Sequence, residues 1–167
     1  MRTKNIVLAL LLAMVSLSAN AQFEKGTNYV ATRLTGLDLS YSKNSKFHFG
    51  VEALAGRFVA DSWMLTGQFG YNHQTLSGPD LNTFDLGLGS RYYFKKNGIY
   101  VGCGLLYEFE KINAAKNNSI NLTPEVGYCF YVNHFLSIEP AAYYHICLND
   151  FSDGSKVGLK LGLGFYF

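Results

Sequence analysis

The chain has 167 residues, with 14 Lys and Arg against 12 Asp and Glu, 17 glycines and an aromatic content of 16%. That near balance leaves no basic excess to neutralise phosphates and argues against nucleic acid as a partner. The length suits one domain and is about half of what a porin of ~16 strands would need, at ~9–11 residues per spanning strand plus turns.

Arg2 and Lys4 precede an apolar run from Ile6 to Val15, and Ala19-Asn20-Ala21 stands before Gln22. A basic n-region, a short apolar h-region and a small-x-small site predict a secretory signal over 1–21, cut between Ala21 and Gln22. The run is too short for a spanning helix, which needs ~20 residues. No Cys follows the site, so a lipoprotein anchor is not expected. Removal of Arg2 and Lys4 brings the basic count down to the same 12 as the acidic count.

From residue 22 onward the pattern has a period of two, broken by turn-forming clusters. The first strand is read at about Thr27 to Tyr41, where Val30 and Leu34 share a parity and Leu37, Leu39 and Tyr41 switch to the other, suggesting a bulge near Gly36. Lys46 to Phe58 sets Phe49, Val51, Ala53 and Ala55 against His48, Gly50, Glu52 and Gly56. After the Ala60-Asp61-Ser62 turn, Trp63 to His73 sets Trp63, Leu65, Phe69 and Tyr71 against Thr66, Gln68, Gly70 and Asn72. A Thr75 to Asp80 loop leads to Asn82 to Phe94, with Phe84, Leu86, Leu88 and Tyr92 opposing Asp85, Gly87, Gly89, Arg91 and Tyr93. Ile99 to Lys111, Ser119 to Phe130 and Phe135 to Ile146 repeat the alternation, with a loop expected at Ala114 to Asn118. Beyond an Asn149 to Ser155 loop, Val157 to Phe167 puts Leu159, Leu161, Leu163, Phe165 and Phe167 on one face and Gly158, Lys160, Gly162, Gly164 and Tyr166 on the other.

That final strand is a hazard if left as an exposed edge, and is accounted for if it pairs with the first strand. Closure around a polar interior with lipid outside explains the apolar parity. The expected fold is all-β, an eight-stranded antiparallel up-and-down transmembrane β-barrel over 22–167. A secreted β-sandwich would carry many Lys, Thr and Glu on its outer face. Here the second face carries glycines instead, among them Gly87, Gly89, Gly102, Gly104, Gly158, Gly162 and Gly164, which make room inside a narrow barrel. An even strand number places both termini on one side, expected to be the periplasm.

Aromatics gather at the strand ends as two girdles: Phe58, Trp63, Tyr92, Phe94, Phe130 and Phe167 at one, Tyr41, Phe47, Tyr71, Phe84, Tyr107, Phe109 and Tyr144 at the other. Pro124 and Pro140 each remove a ladder donor; they are expected nearly opposite one another, in a shared bulge or widened pair. Cys103, Cys129 and Cys147 read as small apolar residues, and no simple register pairs them as a disulfide.

Gly56-Arg57-Phe58-Val59-Ala60-Asp61, Arg91-Tyr92-Tyr93-Phe94, Gly127-Tyr128-Cys129-Phe130 and the alternating end Leu163-Gly164-Phe165-Tyr166-Phe167 resemble the small outer-membrane β-barrel domain proteins of Bacteroidetes-type bacteria, OmpA/OmpX-like in architecture. The resemblance covers essentially the whole mature chain, although Arg57 stands where such proteins often have Tyr. It implies an outer-membrane location among lipid and lipopolysaccharide. It also implies that the barrel-assembly machinery reads a signal in the last strand, at Leu159, Leu161, Leu163, Phe165 and Phe167. No peptidoglycan-binding domain is expected after the barrel, and the resemblance implies no substrate.

By parity, Arg33, Glu52, Asp85, Arg91, Glu108, Glu110, Glu125, Glu139 and Lys160 form a polar network inside the barrel. Isolated carboxylates there are costly, so Glu125 and Glu139 should share Arg91, Lys160 or Arg33. A plugged interior with a structural or surface-interaction role is expected, for a monomer whose extracellular ligand is unknown. The alternative is a small ion or solute pore lined by the same groups. A lipid-modifying enzyme would need a nucleophile and base within reach of each other. His73, Ser77 and His145 gather near the outer rim, but no spacing ties them together. No catalytic, cofactor or metal residues are assigned.

Overall fold

The period-two segments become strands whose ladders run past the expected ends. A computed structural model describes residues 23–35, 45–76, 80–94, 97–112, 115–148 and 156–167. The strands are β1 (Asn28–Thr35), β2 (Ser45–Ala60), β3 (Trp63–Leu76), β4 (Asp80–Tyr93), β5 (Ile99–Ile112), β6 (Ala115–Tyr128), β7 (Phe130–Tyr131), β8 (Leu136–Cys147) and β9 (Lys156–Tyr166). β1 to β6 pair antiparallel in sequence order, as do β7, β8 and β9, and β1 pairs β9 and β6 pairs β8, which closes the sheet on itself. The two-residue β7 continues β6 along β8, so the result is a closed barrel of eight strands. Closure removes both sheet edges, the requirement for β-structure in hydrocarbon.

The side chains are inverted relative to a soluble protein. Leu88 is 76% exposed and Leu86 60%, and Val30, Leu65, Phe69, Leu105, Val126, Leu161 and Phe165 stand out from the wall with them. Arg33, Arg91 and Glu139 are 1–2% exposed. A sandwich or soluble barrel cannot tolerate that arrangement in water, because it buries charge and solvates leucine. Lipid outside makes the exposed leucines favourable where they stand and the interior the less costly of the two places for the charges.

Several sequence expectations need correction. Thr75 pairs with Asp80, and Lys111 and Ile112 pair with Lys116 and Ala115, so these hairpins are tighter than the predicted loops. Phe58 belongs to neither girdle: it is 1% exposed and points into the barrel, since Arg57 takes the outward parity. Trp63, Tyr92 and Phe94 do cluster outside, at centroid separations of 5.5 and 5.2 Å, as do Tyr71 and Phe84 at 5.0 Å. The prolines do not face one another. Glu125↔Tyr143 and Leu122↔Ile146 share one register, so Pro124 comes opposite Tyr144 and Pro140 opposite Tyr128. Pairing lapses at each proline without a shift, and the lapse at Pro140 is what separates β7 from β6. The three cysteines are free, Cys103 on the outer face and the other two buried.

The proposed bulge near Gly36, the signal segment with Ala21 and Gln22, and the 149–155 loop lie outside the described residues. At the rim where residues 28 and 167 meet, the turns are tight. Ser62 takes φ 67° and Gly98 φ 71°, and Asn133 Oδ1 accepts from the backbone N–H groups of Phe135 and Leu136.

The outer face predicts its own test. Leu88→Arg should lower stability in lipid vesicles by about 2–4 kcal/mol, the cost of a cation near the bilayer midplane. Equilibrium urea unfolding reads it, and an unchanged midpoint would mean that this face does not meet hydrocarbon.

Candidate functional site

The described inward rings and charges lie in three levels. At the turn-side rim the lumen is filled by aromatic rings. Phe23 folds in from the segment before β1, 1% exposed, and stacks on Tyr93 at 4.5 Å with Phe58 and Tyr131 each 5.9 Å away. Its carbonyl accepts from Ser62 N–H at 2.8 Å, and Gly26 N–H donates to Phe58 O at 2.8 Å. The backbone of this segment is thus tied to the first hairpin turn. Tyr29, Tyr100 and Tyr166 complete the layer, with the hydroxyls of Tyr29 and Tyr166 directed toward the middle of the barrel.

The middle level is ionic. Glu139 Oε2 accepts from Tyr29 OH at 2.6 Å, and Glu139 Oε1 accepts from Ser137 Oγ at 2.7 Å and Tyr166 OH at 2.8 Å. Arg91 Nη1 lies 3.4 Å from Glu139 and also donates to the Tyr29 oxygen at 3.1 Å, while Arg91 Nε donates to Glu125 Oε1 at 2.7 Å. The Arg91 guanidinium lies 4.8 Å from the Tyr100 ring centroid. Arg33 meets Glu125 with two nitrogens, at 3.1 and 3.3 Å, and stands 3.8 Å from Glu52. Lys160 Nζ closes the series on Glu52 at 3.0 Å, over the Tyr143 ring. The order Glu139, Arg91, Glu125, Arg33, Glu52, Lys160 alternates sign at every step. Glu125 and Glu139 share Arg91, whereas Lys160 serves Glu52.

Glycines make this crossing possible. Gly102 is the ladder residue between Arg91 on β4 and Glu125 on β6, and a Cβ there would stand 3.0 Å from the Cγ of each. Gly162 separates Arg33 from Glu139 in the same way, its Cβ position 3.0 Å from Arg33 Cγ. The long side chains lie down over the vacant positions instead of standing against a neighbour.

The loop-side level holds the remaining carboxylates. Asp85 accepts from Asn72 Nδ2 at 3.1 Å, Glu108 lies 3.2 Å from His145 Nε2, and Ser119 Oγ is 3.5 Å from Glu108. Glu110 is partly exposed one step nearer the rim. Asp85 and Glu108 are direct cross-strand neighbours, so this end of the lumen is acidic. What free space remains among the described inward residues beside Arg91, Glu125, Lys160, Gln68 and Thr123 is about 10 Å³, roughly one water molecule.

Sequence parity placed the nine charged residues on the inner face but could not choose their partners. It overlooked Phe23, and it gave Tyr29, Ser137, Tyr143 and Tyr166 no role, although all four share the parity of the charges they serve. The rim histidines do not form a site: His73 is on the outer parity of β3 beside Asn82 at 2.9 Å, His145 is inside on β8, and Ser77 lies outside the described residues. Leu159, Leu161, Leu163, Phe165 and Phe167 stand on the outer face of the β9 end. Among the described residues no group of three His, Cys, Asp or Glu is arranged to hold a metal.

No protein-family model and no curated protein sequence matches the chain. Among solved structures it is similar to Neisserial surface protein A, 16% identical over 86% of this chain and all of that one, with a TM-score of 0.65. It is also similar to the amino-terminal β-barrel domain of Pseudomonas aeruginosa OprF, 16% identical over 86% and 98% with a TM-score of 0.59. The Yersinia pestis outer membrane protein Ail in a phospholipid bilayer nanodisc is 14% identical over 86% and 100%, again at 0.59. Likeness at this level of identity is one of fold, and that fold is the small eight-stranded barrel of outer-membrane proteins.

The ionic level should carry much of the stability. Glu139→Gln keeps the shape but removes the charge facing Arg91, and should cost about 3–5 kcal/mol in urea unfolding. Glu110→Gln at the rim should stay within about 0.5 kcal/mol. Equal small effects would mean that the network is not a unit.

Proposed function

We propose that the chain is a monomeric outer-membrane barrel with a closed interior, whose role is structural or is exercised through its surface and loops. The observation that carries this reading is the interior itself: an aromatic layer anchored by Phe23, then an unbroken alternation of charges, with room for about one water beside Arg91, Glu125 and Lys160. Conduction needs a continuous wet path, and moving any charge in this series leaves its neighbour unpaired in a low-dielectric lumen. Both termini are assigned to the periplasm, in keeping with the tight turns on their side. The outward residues at the β9 end are assigned to recognition by the barrel-assembly machinery, and lipopolysaccharide and lipid to the surroundings. The motif resemblance supports placing the chain among barrels of Bacteroidetes type. Ail, of the same fold, is the attachment invasion locus protein of Yersinia pestis, which supports looking for the role of this chain at its loops.

The acidic loop-side lumen, Asp85, Glu108 and Glu110, favours a second reading, a small cation-selective pore opened by rearrangement of the ion pairs. Planar-bilayer recordings of the refolded chain, with heat-shifted gel mobility as proof of folding, separate the two. The expected result is silence from a folded sample. Reproducible steps that disappear in Glu125→Gln or Glu139→Gln would establish the pore instead.

A further inference from the structure

Among the outward-facing strand residues whose side chains are described, Arg57 is the only charged side chain, and it is exposed. Among the described residues no hydrogen bond or ion pair holds it. A cation on a lipid-facing wall costs free energy in proportion to its depth. Its position limits that cost: Arg57 pairs across the ladder with Leu65, one pleat inward of the Trp63 and Tyr92 cluster that marks the turn-side interface. From there a guanidinium reaches the headgroup level by snorkelling along its own stem.

Beside it the wall is hollow. The next outward positions are Ala55 opposite Gly67 and Ala53 opposite Phe69. A Cβ added at Gly67 would meet nothing nearer than a Leu88 methyl carbon at 4.0 Å. Ala53, Ala55 and Gly67 leave a shallow apolar groove in the wall beside Val30 and Leu88, part of a hollow that continues round the barrel as far as Leu105 and Ile120. Arg57 stands two residues along β2 from Ala55 on the same face, about 6.6 Å by strand rise. A charge at the interface and, two residues farther along the same face, an apolar groove nearer the membrane centre match the two ends of one amphiphile. Neither is explained by the fold, since the barrel interior uses neither Arg57 nor the groove.

We propose that Arg57 and the Ala53–Ala55–Gly67 groove form a binding site for a phospholipid with an anionic headgroup, its phosphate on the guanidinium and one acyl chain in the groove. The site rests on the membrane-spanning reading of the barrel but not on whether the barrel conducts. Charge complementarity selects the headgroup, and the small side chains set where the chain lies.

The test refolds the full chain into nanodiscs of equal phosphatidylcholine and phosphatidylglycerol, extracts it into mild detergent, and counts retained lipids by native mass spectrometry. Phosphatidylglycerol should be retained about fivefold over phosphatidylcholine, the preference one basic side chain gives at an anionic surface. Arg57→Gln should remove the headgroup preference, and Gly67→Leu, which fills the groove from outside the wall, should lower retention of both lipids. Heat-shifted gel mobility reports insertion separately. Failure of the wild-type chain to insert would overturn the membrane-spanning reading and the site with it. Normal insertion with equal retention of the two lipids, or a preference untouched by Arg57→Gln, would overturn the site alone.

Discussion

Three cations and three carboxylates alternate through the middle of this barrel, and each is held by the next. In a bilayer no bulk water stands behind the wall to replace a lost partner, so the pairing has to be complete within the chain. Buried ion pairs are often no better for stability than packed hydrocarbon, because desolvation consumes most of the attraction. Their value here is that the series has one correct order. Arg33 reaches Glu125 across the lumen, from β1 to β6, and Lys160 on β9 reaches Glu52 on β2. A slip of one residue in β1, β2, β4, β6, β8 or β9 would turn a member of the series out into lipid and strand its neighbour inside. The network therefore fixes the register of the six strands that carry it.

The glycines and the aromatic layer follow from that constraint. Extended Arg and Glu side chains need somewhere to lie in a lumen just wide enough for its own contents, and Gly102 and Gly162 give up their own volume for it. The tyrosines of the turn-side layer have a double use. Their rings fill the end of the barrel, and the hydroxyls of Tyr29 and Tyr166 satisfy Glu139. Phe23 then covers the rings, so the segment before the first strand completes the core.

What the sequence made legible was parity. A period of two assigns each residue to one wall face, and that alone was enough for the strand count, the closed topology and the inward position of Arg33, Glu52, Arg91, Glu125, Glu139 and Lys160. Partner choice was hidden because it depends on the stagger between strands that are far apart in the chain, which no local pattern encodes. Phe58 was misplaced for a simpler reason. It was read as an aromatic at a strand end when its parity, opposite to that of Arg57, already pointed it inward. The prolines were misjudged through register: an unshifted β6–β8 pairing sets each against a tyrosine. Phe23 carried no signal at all, since it precedes the alternation and gains its place only when the rim exists to receive it.

A barrel whose inner face is fully committed to holding itself together has little of that face left for binding. Changes in the ion series would act on folding first, because each of its members is another's partner. The loops and the lipid-facing wall are under no such constraint, as a substitution there leaves the ion series intact. Among the outward-facing strand residues whose side chains are described, Arg57 is the one charge, and it stands out physically. A cation at that depth is tolerated only near an interface, and nothing in the fold requires it. Its natural counter-ion is supplied by the membrane and not by the protein.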